Sequence, residues 1–182
     1  MIELSLHVLD IAENSTRAGA KNVYITIVED TLRDRLSLEI RDDGEGMSRE
    51  TLERAMDPFF TSKKVRRVGL GLPMLAQAAE QAGGSLKLES ELGKGTLVRV
   101  EFQLSHIDRQ PLGDMAGTLA TLIAGNGIVD FIYSHRRDDR EFLLDTHEIR
   151  SELEDVPITH VEVLNYIRRQ IKEGLKEIEA IP

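Results

Sequence analysis

Residues 42–47 of this chain read Asp-Asp-Gly-Glu-Gly-Met, and this motif decides the fold together with three others in the first hundred residues. Residues 10–14 read Asp-Ile-Ala-Glu-Asn, residues 57–61 read Asp-Pro-Phe-Phe-Thr, and residues 69–72 read Gly-Leu-Gly-Leu. A fifth motif, Gly-Lys-Gly-Thr, occupies residues 93–96. Short motifs recur by chance, but the order and spacing of these five predict a pocket for a nucleotide.

The composition limits the class of protein. The 182 residues suffice for one large domain or two small ones. The net charge of -9 argues against nucleic acid and anionic membranes as partners, because both bind basic surfaces. The absence of cysteine excludes disulfides and thiolate metal sites. The start does not resemble a signal peptide, and no apolar stretch approaches the roughly 20 residues of a membrane span. The expected location is therefore the cytoplasm, and the sequence does not predict the oligomeric state.

Hydrophobic periodicity predicts a layered fold for the first part of the chain. Helices are predicted over residues 3–18, 48–56 and about 70–82, and strands over 22–29, 35–41, 85–90 and 96–104. The strands have one polar face, which is typical of a largely antiparallel sheet with one side in solvent. Helices then cover the other side, so the predicted fold class is a two-layer α/β sandwich.

The character of the sequence changes near residue 105. A helix is predicted over residues 112–123, a hairpin over 128–134 and 140–145, and two further helices, the last over about 159–179. We therefore predict two units. Residues 1–105 form the nucleotide domain, and residues 106–182 form a small C-terminal α/β unit.

The pair Asp10 and Asn14 is a candidate for metal chemistry. The two residues are four apart on a predicted helix, so their side chains project side by side. Amide and carboxylate oxygens suit Mg²⁺, and the carboxylate can instead act as a general base. Taken alone, the pair is more simply interpreted as an exposed polar helix face.

The motif at residues 42–47 is a candidate for reading the base. Asp42 follows a strand directly, where its carboxylate can accept a hydrogen bond from an amino group such as that of adenine. Gly44 and Gly46 let the backbone approach a flat ring, because they carry no Cβ. An Asp/Gly surface turn explains the same residues equally well.

A basic segment precedes the predicted helix at about 70–82. It contains Lys63, Lys64, Arg66 and Arg67, and it leads into Gly69-Leu70-Gly71. Backbone amides at a helix start, combined with basic side chains, favour a phosphate site. The alternative for these basic residues is a solvated charge run. Two other candidate residues also have a structural alternative, since Phe59 can fill the core and Thr96 can be an ordinary strand residue.

Residues 1–104 resemble the ATP-binding domain of the GHKL superfamily. This superfamily contains histidine kinases, gyrase-type topoisomerases, mismatch-repair ATPases and anti-sigma-factor serine kinases, which share the Bergerat fold, a mixed sheet backed by helices. The N, G1 and F boxes match at residues 10–14, 42–47 and 57–61. The G2 box matches at residues 69–72, although Arg67 and Val68 replace the usual glycine and threonine just upstream. Residues 93–96 match a strand-entry motif of histidine kinases.

The resemblance implies ATP and Mg²⁺ as cofactors and assigns roles to individual residues. Asn14 is implied as the Mg²⁺ ligand, Asp42 as the reader of the adenine amino group, and Asp10 as the catalytic residue. The candidate ATP-binding residues are Asn14, Arg17, Asp42, Gly44, Gly46, Met47, Phe59, Lys63, Lys64, Gly69, Leu70, Gly71 and Thr96.

The F and G2 boxes look most like those of histidine kinases, with two departures. The helical hairpin that carries the phospho-accepting histidine does not precede the N box here. Histidine kinases also commonly have asparagine where this chain has Asp10, whereas the ATPases and serine kinases have a glutamate that serves as base. We expect Mg²⁺-dependent phosphoryl transfer from ATP to a side chain of a protein substrate or regulatory partner in signalling. The alternatives are an ATPase or nucleotide-gated switch, and a module that binds ATP with little turnover.

His106 is one candidate for a displaced phospho-acceptor. Residues 105–112 resemble a histidine-kinase H box at the histidine, arginine, proline and leucine. Ile107 stands where that box has an acid, and the segment follows a strand instead of lying within a long helix. We favour the simpler interpretation, a linker whose proline begins the next helix.

Overall fold

The computed structural model describes residues 3–57 and 71–182. Within these ranges the chain forms six helices and six strands. In chain order they are α1 (Leu4–Arg17), β1 (Asn22–Asp30), β2 (Arg35–Asp42), α2 (Arg49–Arg54), α3 (Gly71–Gln81), β3 (Ser85–Glu91), β4 (Gly95–Gln103), α4 (Met115–Gly125), β5 (Asp130–Arg137), β6 (Arg140–Asp145), α5 (Thr146–Glu152) and α6 (Val161–Glu177). These elements agree with the sequence prediction to within a few residues at their ends.

All described strands belong to one sheet, in the order β3-β4-β2-β1-β5-β6. Four of the five neighbouring pairs are antiparallel, and only β1 and β5 run parallel. The predicted fold class, a mostly antiparallel sheet backed by helices, is therefore confirmed.

The core lies between the sheet and the helices on one of its faces. Alternate residues of β1 and β2 point into it, as the period of two requires. The inward residues are Val23, Ile25 and Ile27 on β1 and Leu36, Leu38 and Ile40 on β2, all buried. Helix α1 contributes a buried stripe at helical spacing that includes Leu4, Val8 and Ile11. Because this packing buries one side of α1, its polar side can face a ligand.

The second predicted unit, residues 106–182, continues the same sheet. Strand β5 pairs with β1 in parallel, with Val23 opposite Phe131, and β6 pairs with β5. Helix α4 packs against both α1 and α6. Both predicted units therefore share one sheet and one core. The boundary at residue 105 stays a prediction from the sequence.

One helix cap and one hairpin turn are formed by residues that are neighbours in the sequence. Ser48 caps α2, because its side chain accepts a hydrogen bond from the Thr51 amide at 3.2 Å. The second hairpin turns at residues 138–139, where Asp138 has a φ of 53°. Within residues 3–57 and 71–182, no helix is long and apolar enough to cross a membrane.

Candidate nucleotide-binding site

A cavity of about 280 Å³ opens between α1, the loop after β2, the start of α3, and β4. Its wall brings together seven of the candidate residues, which are Asn14, Arg17, Asp42, Gly46, Met47, Gly71 and Thr96. Side chains from four separate segments of the chain meet here, and this convergence is typical of a small-molecule site.

Asp42 is the most strongly organised acid of the cavity. Only 7% of its surface is exposed, and three donors hold its carboxylate. Oδ1 accepts hydrogen bonds from the Gly44 amide at 2.9 Å and the Thr96 amide at 3.3 Å. Oδ2 accepts one from the Ser15 hydroxyl at 2.5 Å. Each carboxylate oxygen has two lone pairs, so Oδ2, which accepts from Ser15, can accept one further hydrogen bond.

Gly44 and Gly46 contribute to the site in different ways. Gly46 has a φ of 67°, and a Cβ there would overlap the Glu91 carbonyl, so only glycine fits. Gly44 is buried and does not line the cavity; its amide instead holds Asp42. Gly46 therefore lines the cavity but must be glycine because of the Glu91 carbonyl, whereas Gly44 acts through the Asp42 carboxylate. The approach of either backbone to a ligand stays a prediction.

The loop after β2 is held to α1 and to the β3–β4 hairpin by backbone hydrogen bonds. The Glu45 amide donates to the Ala18 carbonyl at 2.9 Å, and the Gly93 amide donates to the Glu45 carbonyl at 2.7 Å. The Met47 amide donates to Ser90 Oγ at 2.9 Å. These bonds hold the loop beside the cavity.

Thr96 contributes to the site through both its backbone and its side chain. Its amide contacts Asp42, while its hydroxyl lies 2.9 Å from Ser90 Oγ. The preceding residue is Gly95, whose φ of 93° and close approach to the Asp42 carbonyl exclude a side chain. The motif at 93–96 thus positions the backbone of β4 against Asp42.

The polar side of α1 carries Asp10, Asn14 and Arg17. Asn14 Oδ1 is buried and has no hydrogen-bond partner among the described residues. A buried acceptor without a donor is costly, and a cation removes that cost. Arg17 lines the cavity and donates to Glu13 at 3.0 Å.

Asn14 therefore fits Mg²⁺ as one oxygen ligand among several. In residues 3–57 and 71–182, no group of three or more His, Cys, Asp or Glu side chains is placed to hold a metal ion. Mg²⁺ is commonly bound by one or two protein oxygens together with waters and substrate phosphates. One protein oxygen from Asn14, completed by waters and substrate phosphates, matches that arrangement.

Asp10 lies beside the cavity, against the start of α3. A Cβ on Gly71 would overlap Asp10 Oδ2, so glycine is required for α3 to begin this close to the carboxylate. Burial raises the pKa of Asp10, while the positive charge of Arg17 opposes that rise and the negative charge of Glu13 adds to it. A raised pKa is suited to a group that accepts a proton during a reaction.

Several candidate residues lie outside the described residues. They are Phe59, Lys63, Lys64, Gly69 and Leu70. The phosphate-binding roles of Lys63, Lys64, Gly69 and Leu70, and the contribution of Phe59 to the ATP site, stay predictions from the sequence.

Comparison with known proteins agrees with this geometry. Residues 2–106 match the family of histidine kinase-, DNA gyrase B- and HSP90-like ATPases. The match covers more than half of the chain, so the chain belongs to this family, and residues 2–106 are a histidine-kinase-like ATP-binding domain.

The curated relatives include sensor and sporulation kinases that are much longer than this chain. The chain is similar to sporulation kinase C of Bacillus subtilis, with 32% identity over 96 residues that cover 53% of this chain and 22% of that protein. The chain spans about a fifth of the length of the curated relatives it matches.

Two solved structures share the fold more extensively. The N-terminal domain of a DNA repair protein is 20% identical, with a TM-score of 0.55, over 80% of this chain and 53% of that one. The MutL ATPase domain of Aquifex aeolicus, solved with ADP, is 18% identical, with a TM-score of 0.50, over 80% of this chain and 63% of that one. At this identity they show a common fold, which extends beyond residue 106.

Proposed function

We propose that this protein transfers the γ-phosphoryl group of Mg-ATP to a side chain of another protein in a signalling pathway. The observation that carries this proposal is the placement of Asp10. Its half-buried carboxylate lies at the start of α3 and one helical turn from Asn14. This arrangement supports a base beside a metal-bound phosphate.

The reaction assigns a task to each part of the site. The acceptor hydroxyl attacks the γ-phosphorus, the bond to the bridging oxygen breaks, and ADP leaves. Asp10 takes the proton of the hydroxyl as its oxygen bonds to phosphorus. Asn14 would hold Mg²⁺, which when bound would supply positive charge against the phosphates, as in other phosphoryl-transfer sites, and amides at the start of α3 favour the same anion. Asp42 orients the nucleotide through the base.

The position of His106 supports an acceptor outside this chain. His106 lies next to Gly83, just beyond the C-terminal end of α3. Asp10 lies at the opposite end of this helix, whose 11 residues span roughly 16 Å. A phosphoryl group placed at Asp10 is therefore far from His106 of the same chain, and we expect His106→Ala to keep its activity.

An ATPase that works as a nucleotide-gated switch is the second candidate. It is favoured by the continuity of the sheet, because β5 and β6 extend the layer that carries the ATP site. A nucleotide that moves α1 would then act directly on the C-terminal helices.

The fate of the γ-phosphate separates these functions. Wild-type protein and Asp10→Asn are incubated with γ-labelled ATP, Mg²⁺ and a lysate of the source cell. We expect label on a protein other than this chain with the wild type, and at least about a hundredfold less of it with Asp10→Asn. Free phosphate as the only product would contradict the kinase and support the switch, and intact ATP would contradict both.

Asn14→Ala is expected to weaken nucleotide binding more in the presence of Mg²⁺ than in its absence. The reason is that Asn14 Oδ1 serves the metal, so its loss removes only metal-mediated affinity. Calorimetric titration of ATP with Mg²⁺ and with EDTA measures both. Equal losses under the two conditions would make Asn14 a structural residue.

The acid limb of kcat/KM is expected to lie above the ordinary titration range of a carboxyl. Asp10 must be ionised to act as base, and because its pKa is raised, activity falls as the pH drops through that raised value. Glu13→Gln should move the limb to lower pH, since it removes a negative charge and releases Arg17. If the acid limb does not move in Glu13→Gln, the group that titrates in the pH profile is not Asp10.

A further inference from the structure

The start of α1 is capped by a segment that lies beyond the matched ATP-binding region. The N-cap residue of α1, Glu3, makes no side-chain capping bond. Instead, the Leu4 amide donates to the Pro111 carbonyl and the Ser5 amide to the Leu112 carbonyl, both at 2.9 Å. The first amides of a helix have no partner within it, so this tertiary contact completes the helix that carries Asp10 and Asn14.

A side-chain contact reinforces this cap one turn further along α1. His7 Nε2 and Gln110 Oε1 lie 3.0 Å apart, and His7 is 1% exposed. His7 lies on the same polar side of α1 as Asp10 and Asn14, at helical spacing. The segment 109–112 thus contacts the ATP-site helix through both backbone and side chain.

The last four residues of the chain hold this segment from the other side. The Leu112 amide donates to the Pro182 carbonyl at 3.1 Å. The Ile181 amide donates to Glu29, 3.2 Å from Oε1 and 3.3 Å from Oε2. Residues 109–112 and 179–182 together form a strap between α1 and the end of α6.

The anchor of the strap is a buried carboxylate. Glu29 is 0% exposed, and its Oε1 lies 2.6 Å from His135 Nε2. Its Oε2 lies 3.6 Å from Arg137 Nε, and Arg137 also donates to the Glu179 carbonyl. A buried charge needs partners to offset its desolvation. Releasing residues 179–182 would remove one donor from Glu29, so opening the strap has an energetic cost.

We propose that this strap couples nucleotide binding at α1 to the C-terminal helices. The closed strap caps α1 and keeps its polar side in the geometry that Mg-ATP requires; the open strap leaves the amides of Leu4 and Ser5 without acceptors. Nucleotide bound at Asn14 therefore favours the closed strap. Because coupling between two sites is reciprocal, the closed strap strengthens nucleotide binding by the same factor. This inference rests on the nucleotide binding of the proposed function and not on the identity of the phosphoryl acceptor.

Amide exchange measured by NMR on the full chain tests the coupling. A non-hydrolysable ATP analogue with Mg²⁺ is expected to slow exchange at Leu4, Ser5, Leu112 and Ile181 by at least about fivefold, the lower end of typical coupling. Calorimetry on the same sample reports binding. Bound analogue with unchanged exchange at these four amides would overturn the strap while leaving ATP binding intact, and absence of binding would overturn both proposals.

Two arginines of β5 give a matched pair of variants. Arg137→Ala removes the contacts to Glu29 and to Glu179. It should abolish the change in amide exchange and lower the affinity for the analogue by the coupling factor, at least about fivefold. Arg136→Ala, at the neighbouring exposed position, should match the wild type in both. Equal affinities for the two variants would contradict reciprocal coupling. The wild-type exchange experiment decides the question even if Arg137→Ala does not fold.

Discussion

Asp10→Asn is expected to bind Mg-ATP as the wild type does and to lose turnover by about a hundred- to ten-thousand-fold, the usual contribution of a general base. Asparagine keeps the size of the side chain and therefore preserves the close packing against Gly71. It cannot accept a proton at neutral pH. The loss should appear in kcat and leave binding nearly unchanged.

Single-turnover kinetics and calorimetry separate these two quantities. Glu80→Gln is the matched control, since it neutralises an exposed acid of α3 that does not line the cavity, and it should turn over like the wild type. Asp10→Asn with wild-type turnover would remove the base from the mechanism. Acid-labile phosphate on the wild type that disappears in His106→Ala would instead make His106 the acceptor.

Asp42→Asn is expected to weaken ATP binding by about ten- to a hundred-fold. The lost interaction is a hydrogen bond to a charged group, worth about 1.5–3 kcal/mol. The amide also brings a donor next to the three donors that already hold this site, namely Ser15, Gly44 and Thr96. The pocket therefore loses both its acceptor and part of its preorganisation.

Asp43→Asn is the matched control for this change. Asp43 is the neighbouring carboxylate, but it is exposed and binds the Lys21 and Asn22 amides at 2.7 and 2.9 Å, away from the cavity wall. Calorimetry should find ATP affinity close to wild type for Asp43→Asn. If both variants bind ATP equally well, Asp42 does not contact the base.

The sheet could be predicted because its strands alternate. Val23, Ile25 and Ile27 point inward while Tyr24 and Thr26 point outward, and a period of two encodes that difference locally. The cap at Ser48 could be predicted for the same reason, since it depends on neighbouring residues only.

The order of the strands could not be predicted in this way. Strand β5 lies parallel to β1, more than one hundred residues earlier in the chain, and periodicity carries no information about which strands pair. Residues 106–182 therefore looked like an appendage in the sequence, although their hairpin extends the sheet.

The site was predictable where motifs set the spacing. Asn14, Asp42 and Gly46 were candidates and do line one cavity. Ser15 and Ser90 were missed, because a serine in a helix or strand carries no signal until its partner is known. Ser15 next to Asn14 on a helix that faces Asp42 was the available hint. The contacts of segment 109–112 with α1 are mostly made by the backbone, which leaves no trace in side-chain patterns.

The central claim is that this cavity binds an adenine nucleotide through Asp42. A comparison of the affinities for ATP and GTP tests this claim most directly. Adenine presents an amino donor where guanine presents a carbonyl acceptor, and an acceptor facing the Asp42 carboxylate leaves both unpaired. Calorimetric titration of the wild type with each nucleotide and Mg²⁺ is expected to give saturable ATP binding, with GTP weaker by at least about tenfold. Equal affinity for ATP and GTP, or binding of neither, would contradict the account.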